Sequence, residues 1–282
     1  MASEDMTKAR VSTASHIGII AKYNFLNYFR ARRFYVMLVI VALVSALFTS
    51  LVAYYRPPGL TDSDPITFYA GGWGRFISLL VVLSTAFFGG DAISSEFQNR
   101  TGYFLVPNPI RRSAIYVGKW LAAVAASAII IGLFALVMLL NGLYYYPGSV
   151  PSEFVQSFAF SLTYLVAALS LAFLFSSLFK SSAISILMNV ILLLIVFGIV
   201  DAIVPSFAGV EPWFSITYGA GIVSSVLSIP YPEHVQIIPA GRDFNLTIYN
   251  ATIPEGLAIL AVYFVVCAAV GLWLFEKKEF TS

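Results

Sequence analysis

Charged side chains are scarce in this sequence. Of its 282 residues only 11% are Asp, Glu, Lys or Arg, whereas 59% are hydrophobic. A soluble globule needs more polar material than this to cover its surface, so the composition indicates a chain whose solvent is the lipid bilayer. The net charge of +2 says little about partners by itself; we expect membrane lipids around the chain and no nucleic acid.

Cysteine and histidine are nearly absent as well. A single cysteine, Cys267, excludes an intrachain disulfide and is interpreted as a small packing residue. The two histidines, His16 and His234, are expected on opposite faces of the membrane, which excludes a Ser-His-Asp triad and a His-Glu-x-x-His zinc site. We therefore expect no metal site and no catalytic residues.

A phosphate-binding loop of the Gly-x-x-x-x-Gly-Lys-Ser/Thr type is also missing. Any ATP that drives this protein must consequently be bound by another polypeptide. We expect that the chain is not an enzyme and binds no cofactor of its own. An intramembrane enzyme would need a catalytic constellation that the sequence does not contain.

Long apolar runs are what the sequence does contain. A membrane-spanning helix needs about 20 mostly apolar residues. Six runs meet that length, and they predict an all-α polytopic membrane protein with a transmembrane domain over residues 34–275. The runs are Phe34 to Tyr54, Gly72 to Gly90, Ala114 to Tyr144, Phe154 to Phe179, Ala183 to Val204 and Pro254 to Phe275.

The placement of Lys and Arg predicts the orientation of these spans. With the N-terminus inside, all but three of the 16 cationic residues fall on the cytoplasmic side, the exceptions being Arg56, Arg75 and Arg242. Cytoplasmic loops of membrane proteins are enriched in Lys and Arg. We therefore expect a multi-pass protein of the cell membrane, with an N-terminal segment 1–33 and a tail 276–282 both in the cytoplasm.

Two flanking segments are expected to be more than simple connections. Residues 1–33 carry no cleavable signal pattern and predict a helix to about Arg33 along the inner interface, the alternative being an ordinary basic flank. The outer segment 205–253 contains an apolar stretch from Trp213 to Ile229, which predicts a re-entrant or interfacial helix, with a seventh crossing as the weaker alternative. The same segment holds two candidate glycosylation sites, Asn245 and Asn250.

The cytoplasmic segment 91–113 between the second and third runs carries the functional information. A helix can run from Asp91 to about Val106, where Pro107 and Pro109 force an extended corner. A partner protein can bind a short helix and a stiff elbow of this kind. The alternative interpretation of the segment is a solvated inner loop. The charged side chains that suit such a contact are Glu96, Arg111 and Arg112.

This segment resembles the membrane subunits of ATP-binding-cassette exporters of the type-2 permease family. In that family an acidic helix after the second span leads to a Gly-Thr, a leucine-rich turn and a Pro-Ile-Arg elbow before a Gly-Lys in the third span. The family's usual glycine is Arg100 here, followed after one residue by Gly102, and residues 275–280 resemble its charged tail. The matching residues are Glu96, Thr101, Leu105, Pro109, Ile110, Arg112, Gly118 and Lys119.

The resemblance implies a half-transporter that forms its pathway as a homodimer or heterodimer. It also implies a cytoplasmic coupling helix that contacts a separate ATPase subunit, which would bind ATP and Mg. The residues that it assigns to this coupling are Asp91, Glu96, Thr101, Arg111 and Arg112. The main alternative is a secondary carrier or a membrane scaffold that works without an ATPase partner.

Polar residues within the spans are few. The apolar middles of the six runs contain no ionisable side chain, which argues against a carrier coupled to protons or sodium. Asn141 and Asn189 are the polar exceptions and are candidates for lining a cavity. Hydrogen bonding between helices is the alternative interpretation of both.

Overall fold

The chain folds into a bundle of membrane-spanning helices. The computed structural model describes residues 13–61, 63–98, 111–239 and 245–277. Six helices within these ranges are long and apolar enough to cross a membrane, which confirms the predicted all-α polytopic fold. They are Arg32–Tyr55, Pro65–Gln98, Arg112–Tyr145, Ser152–Leu178, Ser182–Ala208 and Ile253–Lys277, which we number as spans one to six. We end span two at Gly89, because residues 90–93 form a turn, and we call residues 90–98 the segment after span two.

The observed spans begin and end close to the predicted positions, with two exceptions. Span two begins at Pro65, seven positions before the predicted Gly72, because Asp64 is extended and proline suits the first turn of a helix. Span five continues to Ala208, where Gly209 adopts a left-handed φ of 61° that ends the helix. We call the end where spans one, three and five begin the inner end, and the opposite end the outer end.

Spans two and five are not uniform α-helices. In span two, α-helix over Pro65–Tyr69 and Arg75–Gly89 flanks a π-helical segment, Ala70–Gly74. Span five contains two π-helical segments, Ile191–Val196 and Val204–Ala208. The first of them separates the α-helical stretches Ser182–Val190 and Phe197–Ile203, and the second ends the span. Such segments occur often at functional sites.

An N-terminal helix, Thr13–Arg30, precedes span one. It stops before the predicted Arg33, because Ala31 is extended and span one begins at Arg32. The helix packs along the inner part of span three, where a Cβ on Gly118 would lie 2.7 Å from the Ile20 side chain. Its position at the membrane interface stays a prediction.

The apolar stretch after span five forms two short helices, Ile216–Ala220 and Ile222–Ser225. The Ser215 hydroxyl accepts a hydrogen bond from the Tyr218 amide at 3.4 Å and so caps the first of them. Both helices are largely buried against spans four and six. Among the described residues no seventh spanning helix is present, and insertion of this stretch into the outer leaflet stays a prediction.

A small hairpin completes the outer end. Strand β1, Val235–Pro239, pairs antiparallel with β2, Asn245–Tyr249. This hairpin differs from the all-helical expectation, although both strands contain β-branched residues. A four-residue helix, Pro58–Thr61, lies in the loop between spans one and two.

The core lies around span two. Of the residues in its most apolar stretch 72% are buried, compared with 17% in spans five and six, so those two spans lie at the periphery of the bundle. Trp73 is fully buried and stacks on Phe134 of span three with ring centres 5.5 Å apart. Its indole N–H donates to the Ser157 hydroxyl at 2.8 Å, which in turn donates to the Val223 carbonyl. Trp73 therefore connects spans two, three and four with the outer segment.

Candidate functional site

Polar side chains gather at the inner end of the bundle, where the N-terminal helix, the segment after Gly89 and the start of span three meet. They surround a cleft of about 200 Å³. In a protein with 11% charged residues, such a concentration points to this end as the candidate site. The polar residues that line the cleft are Asn24, Asn27, Tyr28, Arg33, Asp91, Ser95, Glu96 and Lys119.

The first ion pair of the cleft joins span one to the end of span two. The Arg33 guanidinium contacts the Asp91 carboxylate and also donates to the Phe87 carbonyl at 3.2 Å. This second contact uses a backbone carbonyl near the end of a helix, where carbonyl groups lack helical partners. Arg33 therefore holds both the Asp91 side chain and the backbone at the end of span two in place.

Tyr28 adds a contact from the N-terminal helix to the same backbone. Its hydroxyl donates to the Phe88 carbonyl at 2.8 Å, and its ring packs edge-on against the Phe88 ring. Burial, and secondarily the nearby Asp91 carboxylate, raise the pKa of Tyr28 well above its usual value. Tyr28 is therefore a neutral hydrogen-bond donor at physiological pH.

The second ion pair joins span three to the segment after span two. Lys119 is buried, and its ammonium group contacts the Glu96 carboxylate and donates to the Ala92 carbonyl at 2.9 Å. The Ala92 carbonyl is available because residues 90–93 form a turn between Gly89 and the helix Ser94–Gln98. A buried ammonium group is tolerated only when it is paired and hydrogen-bonded, as it is here.

Spans four and five hold the same segment from the other side. The Ser176 hydroxyl of span four accepts hydrogen bonds from the amides of Ile93 at 2.8 Å and Ser94 at 2.9 Å. The amide of Ser182, at the start of span five, donates to the Gln98 side-chain carbonyl at 3.0 Å. Residues 90–98 are therefore in contact with the inner ends of spans one, three, four and five.

The structure separates the residues that the sequence predicts for coupling. Asp91 and Glu96 lie in the two ion pairs, and both face the interior of the bundle. Arg111 is exposed directly before span three, whereas Arg112 donates to the Glu276 carbonyl at 2.9 Å and so links spans three and six. Thr101, with the rest of the predicted helix beyond Gln98, lies outside the described residues.

The polar residues within the spans make hydrogen bonds to helices. The Asn141 amide donates to the Val137 carbonyl of its own helix at 2.9 Å. The Asn189 amide lies 3.4 Å from the Thr85 hydroxyl of span two, and the Asn189 side-chain carbonyl has no partner within the described part of the chain. Asn189 therefore makes an interhelical contact, and lining of a cavity by either residue stays a prediction.

Several residues of the site were not anticipated from the sequence. The sequence places Arg33 and Lys119 on the cytoplasmic side because they are basic. Nothing in a single sequence indicates which acidic residue each of them contacts. At the outer end, the side chains of Glu211, His234 and Glu255 also come together from three separate segments. Only their positions at or beyond the outer ends of the spans gave a signal.

Comparison with known proteins shows the family of the chain. No curated protein matches the sequence. A family model described as ABC-2 family transporter protein matches residues 18–280, which include all six spans and the polar cleft, so the chain belongs to the ABC-2 transporter family.

Proposed function

We propose that this chain is the transmembrane subunit of an ATP-driven exporter. It would form its substrate pathway as a dimer and transmit movement from a separate ATPase subunit through the segment 91–113. Membership of the ABC-2 family makes the chain a membrane component of an ABC transporter, and such components work with ABC ATPase partners. ATP and Mg would be bound by that partner.

The observation that supports coupling most directly is the way residues 90–98 are held. Two ion pairs and the hydrogen bonds of Ser176 and Gln98 connect this short segment to four spans. A partner that displaced the segment would therefore move the inner ends of those spans together. Rigid-body movement of packed helices is a common way to open a pathway in a membrane protein.

The contacts suggest different roles for the charged residues. Asp91 and Glu96 would transmit movement within the subunit, since each already contacts a cation of another span. Arg111 would contact the ATPase, because it is exposed beside the segment. Arg112 would carry the movement to the end of span six through the Glu276 carbonyl.

The exposed apolar surfaces are consistent with dimerisation. Val39, Leu43 and Leu47 of span one repeat every four residues and are each more than half exposed. Ile195 and Ile199 of span five are similarly exposed. We propose that a second copy or a homologous permease covers part of this surface and that lipid covers the remainder.

Arg111→Glu is expected to reduce the amount of ATPase subunit that purifies with the chain by about tenfold, because one reversed charge places repulsion at the contact. The protein would be purified from native membranes, and the bound ATPase measured by quantitative mass spectrometry. Arg56→Glu, an exposed charge reversal at the outer end, is the matched control and should retain the ATPase.

Two results would count against this proposal. Equal retention of the ATPase by wild type and Arg111→Glu would remove Arg111 from the contact. Absence of any ATPase from wild-type preparations would favour a secondary carrier or a scaffold instead.

Glycosylation in a suitable host tests the proposed orientation. The Asn250 amide donates to the Glu233 carbonyl at 2.9 Å, and the Thr252 amide of the same triplet donates to Glu255 at 3.2 Å. These contacts make the triplet at Asn250 a poor acceptor, so we expect a glycan at Asn245. Expression in a glycosylating host should give a glycosidase-sensitive shift in gel mobility that Asn245→Gln abolishes and Asn250→Gln retains. A shift that survives Asn245→Gln would contradict this expectation.

A further inference from the structure

The outer end contains an imidazole and two carboxylates whose ligand atoms all lie within 4.8 Å of one another. Glu211 follows span five, His234 lies directly before β1, and Glu255 is in the first turn of span six. The three residues are therefore brought together by the fold and not by local sequence. Histidine nitrogen and carboxylate oxygen are both ligands of Zn²⁺ in proteins.

The orientation of His234 is fixed by its surroundings. Its Nδ1 lies 2.9 Å from the Asn250 carbonyl oxygen, which can only accept a hydrogen bond, so Nδ1 carries the proton. In the neutral ring this leaves the lone pair of Nε2 directed at the Glu211 carboxylate, 3.5 Å away. A lone pair that faces an anion is repelled unless a cation lies between them. A backbone carbonyl on the second ring nitrogen is also the usual support of a metal-binding histidine.

The carboxylates are positioned in a similar way. The Tyr218 hydroxyl donates to one oxygen of Glu211, and the other oxygen faces His234. Glu255 uses one oxygen to accept a hydrogen bond from the Thr252 amide at 3.2 Å, in the manner of a capping box. Glu255 also interacts with the Glu211 side chain, so the two carboxyl groups lie side by side.

The spacing of His234 and Glu211 suits a small divalent ion. Ligands at about 2.1 Å from a tetrahedral zinc ion lie about 3.4 Å from each other. The distance between His234 Nε2 and the Glu211 oxygen is 3.5 Å. The side chains of His234 and Glu211 are 42% and 27% exposed, so an ion can reach the site from solvent.

We propose that Glu211, His234 and Glu255 form a zinc site at the outer end, with water completing the coordination. The bound ion holds the β-hairpin and the segment after span five to the start of span six. It therefore closes the outer end of this protomer by a cross-link between three segments. The imidazole distinguishes the site from one for Mg²⁺ or Ca²⁺, which prefer oxygen ligands alone.

Zinc binding to the purified full-length chain tests the proposal. The protein would be purified in detergent through a tag without histidine, stripped with a chelator, and titrated with Zn²⁺ as the sole divalent ion. We expect one zinc ion per chain by mass spectrometry after equilibrium dialysis, together with a higher unfolding temperature. An excess of Mg²⁺ should not displace the zinc.

His234→Ala is expected to weaken zinc binding by more than about tenfold, since loss of a supporting contact alone has that effect at known sites. Glu211→Gln keeps the shape of the side chain and should weaken binding to a similar extent, which protects the test against misfolding of the first variant. His16→Ala is the matched control, because His16 is the other of the two histidines and lies in the N-terminal helix.

The alternative to a metal site is an ion pair between a protonated His234 and Glu211. In that case wild type would bind no more zinc than His234→Ala, and zinc would not raise its unfolding temperature. Equal zinc binding by wild type, His234→Ala and Glu211→Gln would also overturn the proposal, since the ion would then lie elsewhere. Loss of zinc from His16→Ala would overturn it for the same reason.

Discussion

Lys119→Met should lower the free energy of unfolding by about 3 kcal/mol, the usual cost of removing one member of a buried ion pair. The Lys119 and Glu96 side chains are only 8% and 18% exposed, so the substitution leaves a largely buried carboxylate without its partner. The change also removes the hydrogen bond to the Ala92 carbonyl. The measurement is chemical unfolding of the purified protein in mixed micelles. Transport should fall as well, because the segment after span two loses its contact with span three.

A second substitution separates the ion pair from other effects of the change. The double variant Glu96→Gln with Lys119→Met should be less destabilised than the sum of the single variants, by about 1 kcal/mol or more, because it removes both charges together. Asp64→Asn removes an exposed carboxylate at the outer end and should leave stability nearly unchanged. Strict additivity of Glu96→Gln and Lys119→Met would show that the two charges do not stabilise each other.

Trp73→Ala should destabilise the protein by about 4 kcal/mol, within the range for removing a large buried aromatic side chain. Trp73 is fully buried between Phe134, Phe154 and Ser157. Packing of this kind is the main source of helix association in lipid, where the hydrophobic effect between spans is weak. The measurement is again chemical unfolding in micelles. Unfolding would be followed by circular dichroism and not by tryptophan fluorescence.

A milder change at the same position separates the loss of the indole hydrogen bond from the loss of the aromatic ring. Trp73→Phe keeps an aromatic ring but removes the indole donor to Ser157, and it should cost about 1 to 2 kcal/mol. Trp213→Ala is the matched control, because Trp213 is 65% exposed at the outer end. A loss of stability from Trp213→Ala as large as that from Trp73→Ala would contradict the central role of Trp73.

The spans could be predicted from the sequence because length and hydropathy alone decide whether a segment can cross a bilayer. Nothing comparable identifies contacts between distant residues. The pairing of Arg33 with Asp91 and of Lys119 with Glu96 depends on how the helices pack. The same holds for Asn189, whose contact with Thr85 follows from the packing of spans two and five.

The segment after span two shows where local reasoning was incomplete. Pro107 is the first residue that excludes a helix outright, so the sequence predicted a continuous helix from Asp91. The structure has a turn at residues 90–93 instead, because the Ser176 hydroxyl and the Lys119 ammonium group satisfy backbone groups that a helix would otherwise use. Side chains that are distant in the sequence determine the local conformation. The sequence of the segment alone therefore does not reveal it.

The π-helical segment Ile191–Val196 determines which way Asp201 points. A π turn accommodates one residue more than an α turn, and each residue turns the chain by about 100°, so everything beyond the insertion is rotated by roughly that angle. In this register the Asp201 carboxylate accepts a hydrogen bond from the Thr217 hydroxyl, inside the protein. Deletion of one residue from 191–196 would turn that acid away from Thr217. The irregular turn thus gives an acidic side chain a partner on a helix that exposes much apolar surface.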